Sequence, residues 1–148
     1  MLVASAVIAA VRIRTSVVVV SVRGDSMAPT LLDGERVVVR RRPLARVRRG
    51  DVVVLKPPPP TSERDAAAYG TDRNGADWNV KRVTALPGEP VPAGTAGAGP
   101  GDLVPAGSLV VRGDNPDSID SRHRGFFPGD ELLGTVVRRL GASRALRP

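Results

Sequence analysis

Two residues of this chain could make a nucleophile together, Ser26 and Lys81. Ser26 stands in Gly24-Asp25-Ser26-Met27-Ala28-Pro29-Thr30-Leu31, a turn rich in Gly and Pro, and Lys81 stands in Asn79-Val80-Lys81-Arg82-Val83. Of the 22 Lys+Arg residues only Lys56 and Lys81 are lysine. An arginine is never deprotonated in practice, so it cannot accept a proton; a lysine can, once burial lowers its pKa. A serine hydroxyl attacks poorly until a base takes its proton, and a neutral lysine amine is such a base. Val80 and Val83 flank Lys81, and a valine-rich sheet supplies the apolar wall that disfavours an ammonium. Taken singly, a serine in a Gly/Pro turn is an ordinary turn residue and a lysine in a strand is an ordinary edge residue. The chemistry requires the two to meet.

The elements that must bring them together are strands. At 148 residues the chain is one domain with short appendages. It is 41% hydrophobic but only 3% aromatic, so its core is aliphatic. Valine runs favour strands, because β-branched side chains are stiff and suit a pleated surface. The pattern predicts strands at Val17–Arg23, Arg36–Arg40, Val52–Leu55, Trp78–Leu86, Ser108–Arg112 and Leu132–Leu140, separated by Gly, Pro and Asp turns. Phe126–Asp130 reads as a further turn. No long amphipathic helix and no internal repeat is visible. The expected fold is mostly β, with coiled antiparallel sheets and a short apolar N-terminal segment. Pro57–Asp77 is expected to be an inserted exposed loop with a mobile tip, and Ala93–Gly101 a flexible surface loop. Residues 1–15 form a possible membrane-anchor remnant or interfacial segment, 16–140 the catalytic domain and 141–148 a basic, disordered tail. The apolar stretch Leu2–Val11 is too short to cross a bilayer, which needs roughly 20 residues. Arg12 and Arg14 would oppose insertion, and no small-residue cleavage site follows a charged start.

Composition narrows the function further. There are no cysteines, which excludes disulfides, thiolate zinc sites and a cysteine nucleophile. With one histidine, His123, multi-histidine metal sites are excluded. No cofactor and no metal is expected. The net charge of +7 suits an anionic partner. Its basic residues are not interleaved with aromatics for base stacking, so nucleic acid is not expected. Arg40, Arg41, Arg42, Arg46, Arg48 and Arg49 form one basic patch, whose most plausible partner is a membrane headgroup. His123 could serve Ser26 together with Asp120, but it lies between two arginines on a turn, where a solvated histidine is the better reading. Asp114 and Asp120 could bind a metal; turn capping and ion pairing fit them better.

Four blocks of the chain resemble the signal peptidase I family, in order. They are the Gly24–Leu31 block, then Arg49-Gly50-Asp51-Val52-Val53-Val54, then Lys81-Arg82-Val83 with Leu86-Pro87-Gly88-Glu89, then Gly113-Asp114-Asn115 with Ser118-Ile119-Asp120-Ser121-Arg122. Each block alone is a weak signal; four in order, reaching from Gly24 to about Val137, are a strong one. The resemblance implies a mostly β catalytic core in which Ser26 is the nucleophile and Lys81 its general base. It implies that Ser118 orients Lys81 and that Asp120 and Arg122 form an ion pair behind the site. The Ser26 backbone N–H would donate to the oxyanion; Gly24 stands where some relatives carry a second oxyanion serine. The last block is one residue shorter between Asn115 and Ser118 than the commonest form, and counting back from Asp120 keeps Ser118 in register. Ala85 stands where glycine is usual and Glu89 where aspartate is. The chain lacks the large second domain of some relatives.

The resemblance also implies the substrate, an extended peptide of an exported precursor, gripped by strand pairing with small side chains in shallow pockets before the cut. Val20 and Val22 on one side, and Asn79 and Val80 on the other, would flank it. Arg82 should point away from Lys81, pair with Asp114, and add a positive field that discourages a charged Lys81. The expected protein is thus a membrane-associated serine endopeptidase on the extracytoplasmic face of the cell membrane, more active as pH rises. Rival readings are a dedicated maturation protease for one precursor, a self-cleaving domain like that of SOS-response repressors, and a non-catalytic basic β module that binds lipid or nucleic acid.

Overall fold

The computed structural model describes residues 16–64 and 78–142. The apolar stretch Leu2–Val11, the tip of the Pro57–Asp77 loop and the tail after residue 142 lie outside the described residues. Among those described are seven strands: β1 (Val17–Ser21), β2 (Glu35–Arg41), β3 (Val52–Leu55), β4 (Asn79–Ala85), β5 (Ser108–Arg112), β6 (Phe127–Pro128) and β7 (Leu132–Ala142). A four-residue helix, α1, covers Ser121–Arg124. All pairings are antiparallel, and the strands make one continuous sheet in the order β1-β2-β7-β3-β4-β5-β6. The fold is therefore mostly β as expected, with one coiled sheet in place of several.

The coil has a local cause. The β2–β7 register slips between Arg36 and Val37 and again between Val38 and Val39, and β3–β7 slips between Val54 and Leu55. Each extra residue bends its strand and raises the twist. Where β2 and β7 come closest, only glycine fits. A Cβ on Gly134 would lie 2.0 Å from the carbonyl oxygen of Arg40.

Coiling gives the sheet two apolar faces to fill. Val47, Val53, Leu55, Val83, Leu109, Val111 and Phe127 close one core. Val22, Met27, Leu31, Val37, Val39 and Val54 close a second, with Val18, Val20, Val80 and Leu133 partly buried against it, and Ala85, Val104 and Val110 form a smaller third. This second core lies beneath the site. It places the Ser26 turn, whose Met27 is fully buried, on the same apolar bed as the start of β4.

The expected flexible loop at Ala93–Gly101 is tied down. Thr95 is buried, its hydroxyl donates to the Pro92 carbonyl, and the Ala96 N–H donates to the Ser121 carbonyl at 3.0 Å. Its Gly/Ala/Pro composition reflects close backbone packing against α1. The expected turn at Phe126–Asp130 contains β6, and Phe127 is fully buried.

Candidate active site

A cleft of about 1130 Å³ runs along the sheet, and both Ser26 and Lys81 line it. Val19–Gly24 form one wall, while Lys56–Pro60 and Trp78–Lys81 form the other. Val20, Val22, Asn79 and Val80 all face it, although Val22 belongs mainly to the core beneath. The Pro57–Pro60 run thus borders the cleft.

Lys81 is central on β4 and only 4% exposed. Its Nζ donates to Ser118 Oγ at 2.9 Å. Burial lowers its pKa from 10.5 to about 8; Asp120 opposes the shift, and Arg122 and Arg124 reinforce it. The reinforcing field does not come from Arg82. That side chain leaves β4 on the other face and is neutralised by Asp114, with Nε to Oδ1 at 2.8 Å and Nη2 to Oδ2 at 2.7 Å. The Asp114 carboxyl is held below its ordinary range by the Arg82 bonds, against the effect of burial and with help from Thr30.

Behind Lys81 the segment from Gly113 to Arg124 is fixed by a dense set of bonds. Asp120 is fully buried. It accepts from Arg122 Nε at 2.9 Å and Nη2 at 2.7 Å, from the Arg122 N–H at 3.1 Å, and from the Gly113 N–H at 2.8 Å. Burial by itself would push its carboxyl up, but these donors hold it below the ordinary value. The same carboxylate caps α1. Exposed His123 faces the Asp120 N–H from the third helical position, so it belongs to this cap and not to Ser26. Ser121 Oγ accepts from the Val111 N–H at 2.9 Å, which fastens α1 to β5.

The same segment holds the serine turn. The Asn115 N–H donates to the Ser26 carbonyl at 3.0 Å and Asn115 Nδ2 to the Asp25 carbonyl at 3.1 Å. Thr30 Oγ1 donates to Asp114 at 2.6 Å. Gly113 lies between Ser118 and the Ser26 turn, and an added Cβ would stand 2.2 Å from Ser118 Oγ and 2.3 Å from the Ser26 carbonyl. Sequence reasoning missed the roles of Gly113, Asn115 and Ser121. A Gly-Asp-Asn stretch after a strand is an ordinary turn signal, and nothing in its spacing reveals close packing.

The structure brings Lys81, Ser118, Asp120 and Arg122 into one bonded cluster and Ser26 to the mouth of the same cleft. No direct hydrogen bond joins Ser26 to Lys81 among the described residues; unliganded active sites often hold such pairs apart until substrate binds. A buried lysine amine of lowered pKa and a serine that line one cleft have the makings of acyl transfer.

The family model described as signal peptidase, peptidase S26, matches residues 1–97 and 92–140. No curated protein matches the chain.

Proposed function

The chain belongs to the signal peptidase S26 family, which makes it a signal-peptidase-like serine peptidase, and from that premise we propose that it removes signal or leader peptides from exported precursors with a Ser26–Lys81 pair. The observation that carries this reading is the buried Lys81 amine, with a pKa of about 8, lining the same cleft as Ser26. About one Lys81 in ten is neutral at pH 7, on the order of 10²-fold more than for a lysine in water.

In this mechanism the peptide lies between β1 and the start of β4. Ser26 Oγ attacks the scissile carbonyl as Lys81 Nζ takes its proton. Ser118 accepts one Lys81 N–H and so turns the nitrogen lone pair toward the serine. The Ser26 backbone N–H donates to the developing oxyanion. The Lys81 ammonium then protonates the leaving amine, and the freed amine activates the water that releases the acyl group. Asp120 and Arg122 keep Ser118 and the backbone around it in place. Arg82 and Asp114 join β4 to the Ser26 turn through Thr30.

The substrate would carry small residues at the first and third positions before the cut, seated over Val20, Val22 and Val80. Membrane association on the extracytoplasmic face belongs to the same reading. Among the described residues no helix is long and apolar enough to cross a membrane, and the apolar Leu2–Val11 stretch lies outside them.

The test is mass spectrometry of Ala-x-Ala peptides incubated in detergent with wild type, Ser26→Ala and Lys81→Arg. Wild type should cut once after the second Ala. Both variants should lose at least 10³-fold in kcat/KM while keeping the wild-type circular dichroism. The wild-type rate should rise about tenfold from pH 6 to 7 and level off above pH 8, because the base acts only when deprotonated. A flat profile between pH 6 and 9 would rule out Lys81 as the base. Unchanged function in Ser26→Ala, abolished instead by salt, would leave the basic binding module.

A further inference from the structure

Beyond the catalytic pair the cleft leads into a second cavity of about 400 Å³ at the start of β1. Val20, Trp78, Asp130 and Glu131 line both spaces, so the two adjoin. Its lining combines five apolar residues with three charged ones. Val18 and Val20 come from β1, Leu132 and Leu133 from β7, and the indole of Trp78 from just before β4. Trp78 is 39% exposed, and the Lys56 ammonium stands 5.2 Å from the centre of its ring. Lys56 is held in turn by Glu131 at 3.8 Å. The other charged groups at the rim are Arg41 and Asp130, one of each sign. Arg41, Asp130 and Glu131 line the cavity itself, and Lys56 of the adjoining cleft offsets Glu131, so the charges leave little net preference for a charged ligand. The five apolar residues do discriminate, in favour of a side chain that buries carbon.

We propose that this cavity is a subsite for a bulky apolar side chain, Leu or Phe in size, at the fifth residue before the scissile bond. The proposal rests on the peptidase reading above. Val18, Val20 and Val22 alternate with the more exposed Val17, Val19 and Ser21, so they share the face that the peptide covers. An extended peptide presents every second side chain to one face, at a rise of about 3.3 Å per residue. With the first and third side chains over Val22, Val80 and Val20, the next to face inward is the fifth, over Val18 and Trp78. The fourth points away. The enzyme would then select small residues beside the cut and a large one upstream.

Trp78 is the chain's single tryptophan, so its fluorescence reports on this cavity and the part of the cleft beside it, and the fifth-position series on one peptide separates the two. Peptides with Ala at the first and third positions would carry Ala, Leu, Phe or Lys at the fifth, with the same set at the fourth as the control. Two readouts are taken on the full chain: kcat/KM with wild type, and binding to Ser26→Ala followed by Trp78 emission. Leu or Phe at the fifth should raise kcat/KM and tighten binding about tenfold over Ala, with a blue shift of the emission. The fourth position should be indifferent. Trp78→Ala and Val18→Thr should both shrink the Leu-to-Ala ratio toward one. Equal rates for Ala, Leu and Lys at the fifth, with unmoved emission, would overturn the subsite and leave the peptidase standing. A preference for Lys, or a Leu preference that survives Trp78→Ala, would also overturn it. A blue shift without any cleavage by wild type would keep the cavity as a peptide-binding site and sink the peptidase reading.

Discussion

The two walls of the cleft are built in opposite ways. The Lys81 wall is central: β4 pairs with β3 on one side and β5 on the other, and the Gly113–Arg124 segment braces it from behind. The β1 wall is an edge: among the described residues it pairs with β2 alone, and its outer residues are open to solvent. Proton transfer needs a buried amine held to within tenths of an ångström, whereas strand addition needs free N–H and C=O groups. On the proposed mechanism, bonding density follows the task of each wall, with chemistry on the braced side and recognition on the open one.

The contrast breaks most sharply at Asp120. Asp120→Ala strands the Arg122 charge and the Gly113 N–H, and should lower unfolding free energy by about 3–5 kcal/mol in urea titration. Asp120→Asn should cost less. It also removes the charge that opposes the shift of Lys81, so the midpoint of the rate–pH curve should move below 8.

Lys81 sharpens the comparison with an effect of opposite sign. At pH 7 the lysine is charged in the folded and unfolded states alike, and the folded one holds a buried ammonium. Between pH 8 and 10.5 the unfolded chain binds more protons than the folded, so stability rises with pH in that window. Lys81→Met should therefore stabilise the fold by about 1–3 kcal/mol at pH 7, abolish activity and lose the alkaline rise. Urea midpoints at pH 7 and 9.5 check it. On the open wall, Val19→Thr should stay within about 0.5 kcal/mol of wild type in the same titration, since Val19 is 56% exposed.

The strands were legible because valine runs bounded by Gly, Pro and Asp are a local signal. Ser26, Lys81 and the Gly113–Arg122 block stood out through residue type and order. What escaped is non-local or too short. A four-residue helix such as α1 has no 3.6-residue period to detect. The anchoring of Ala93–Gly101 rests on a backbone bond to Ser121, which composition does not record. The field on Lys81 was ascribed to neighbouring Arg82, yet it comes from Arg122 and Arg124, some forty positions later in the chain and adjacent only in space. Likewise, nothing local places β7 between β2 and β3.

That placement of β7 bears on synthesis. Ser26 follows β1, Lys81 sits on β4, and among the described residues the two halves of the sheet pair with each other only through β7, the last of the described strands. A ribosome that has made everything up to Glu131 has produced the serine and the lysine but not the strand that joins their halves. Because the closing contacts are among the most distant in the sequence, they form late and slowly. On the proposed mechanism, Ser26 and Lys81 would come into register only after β7 has been made.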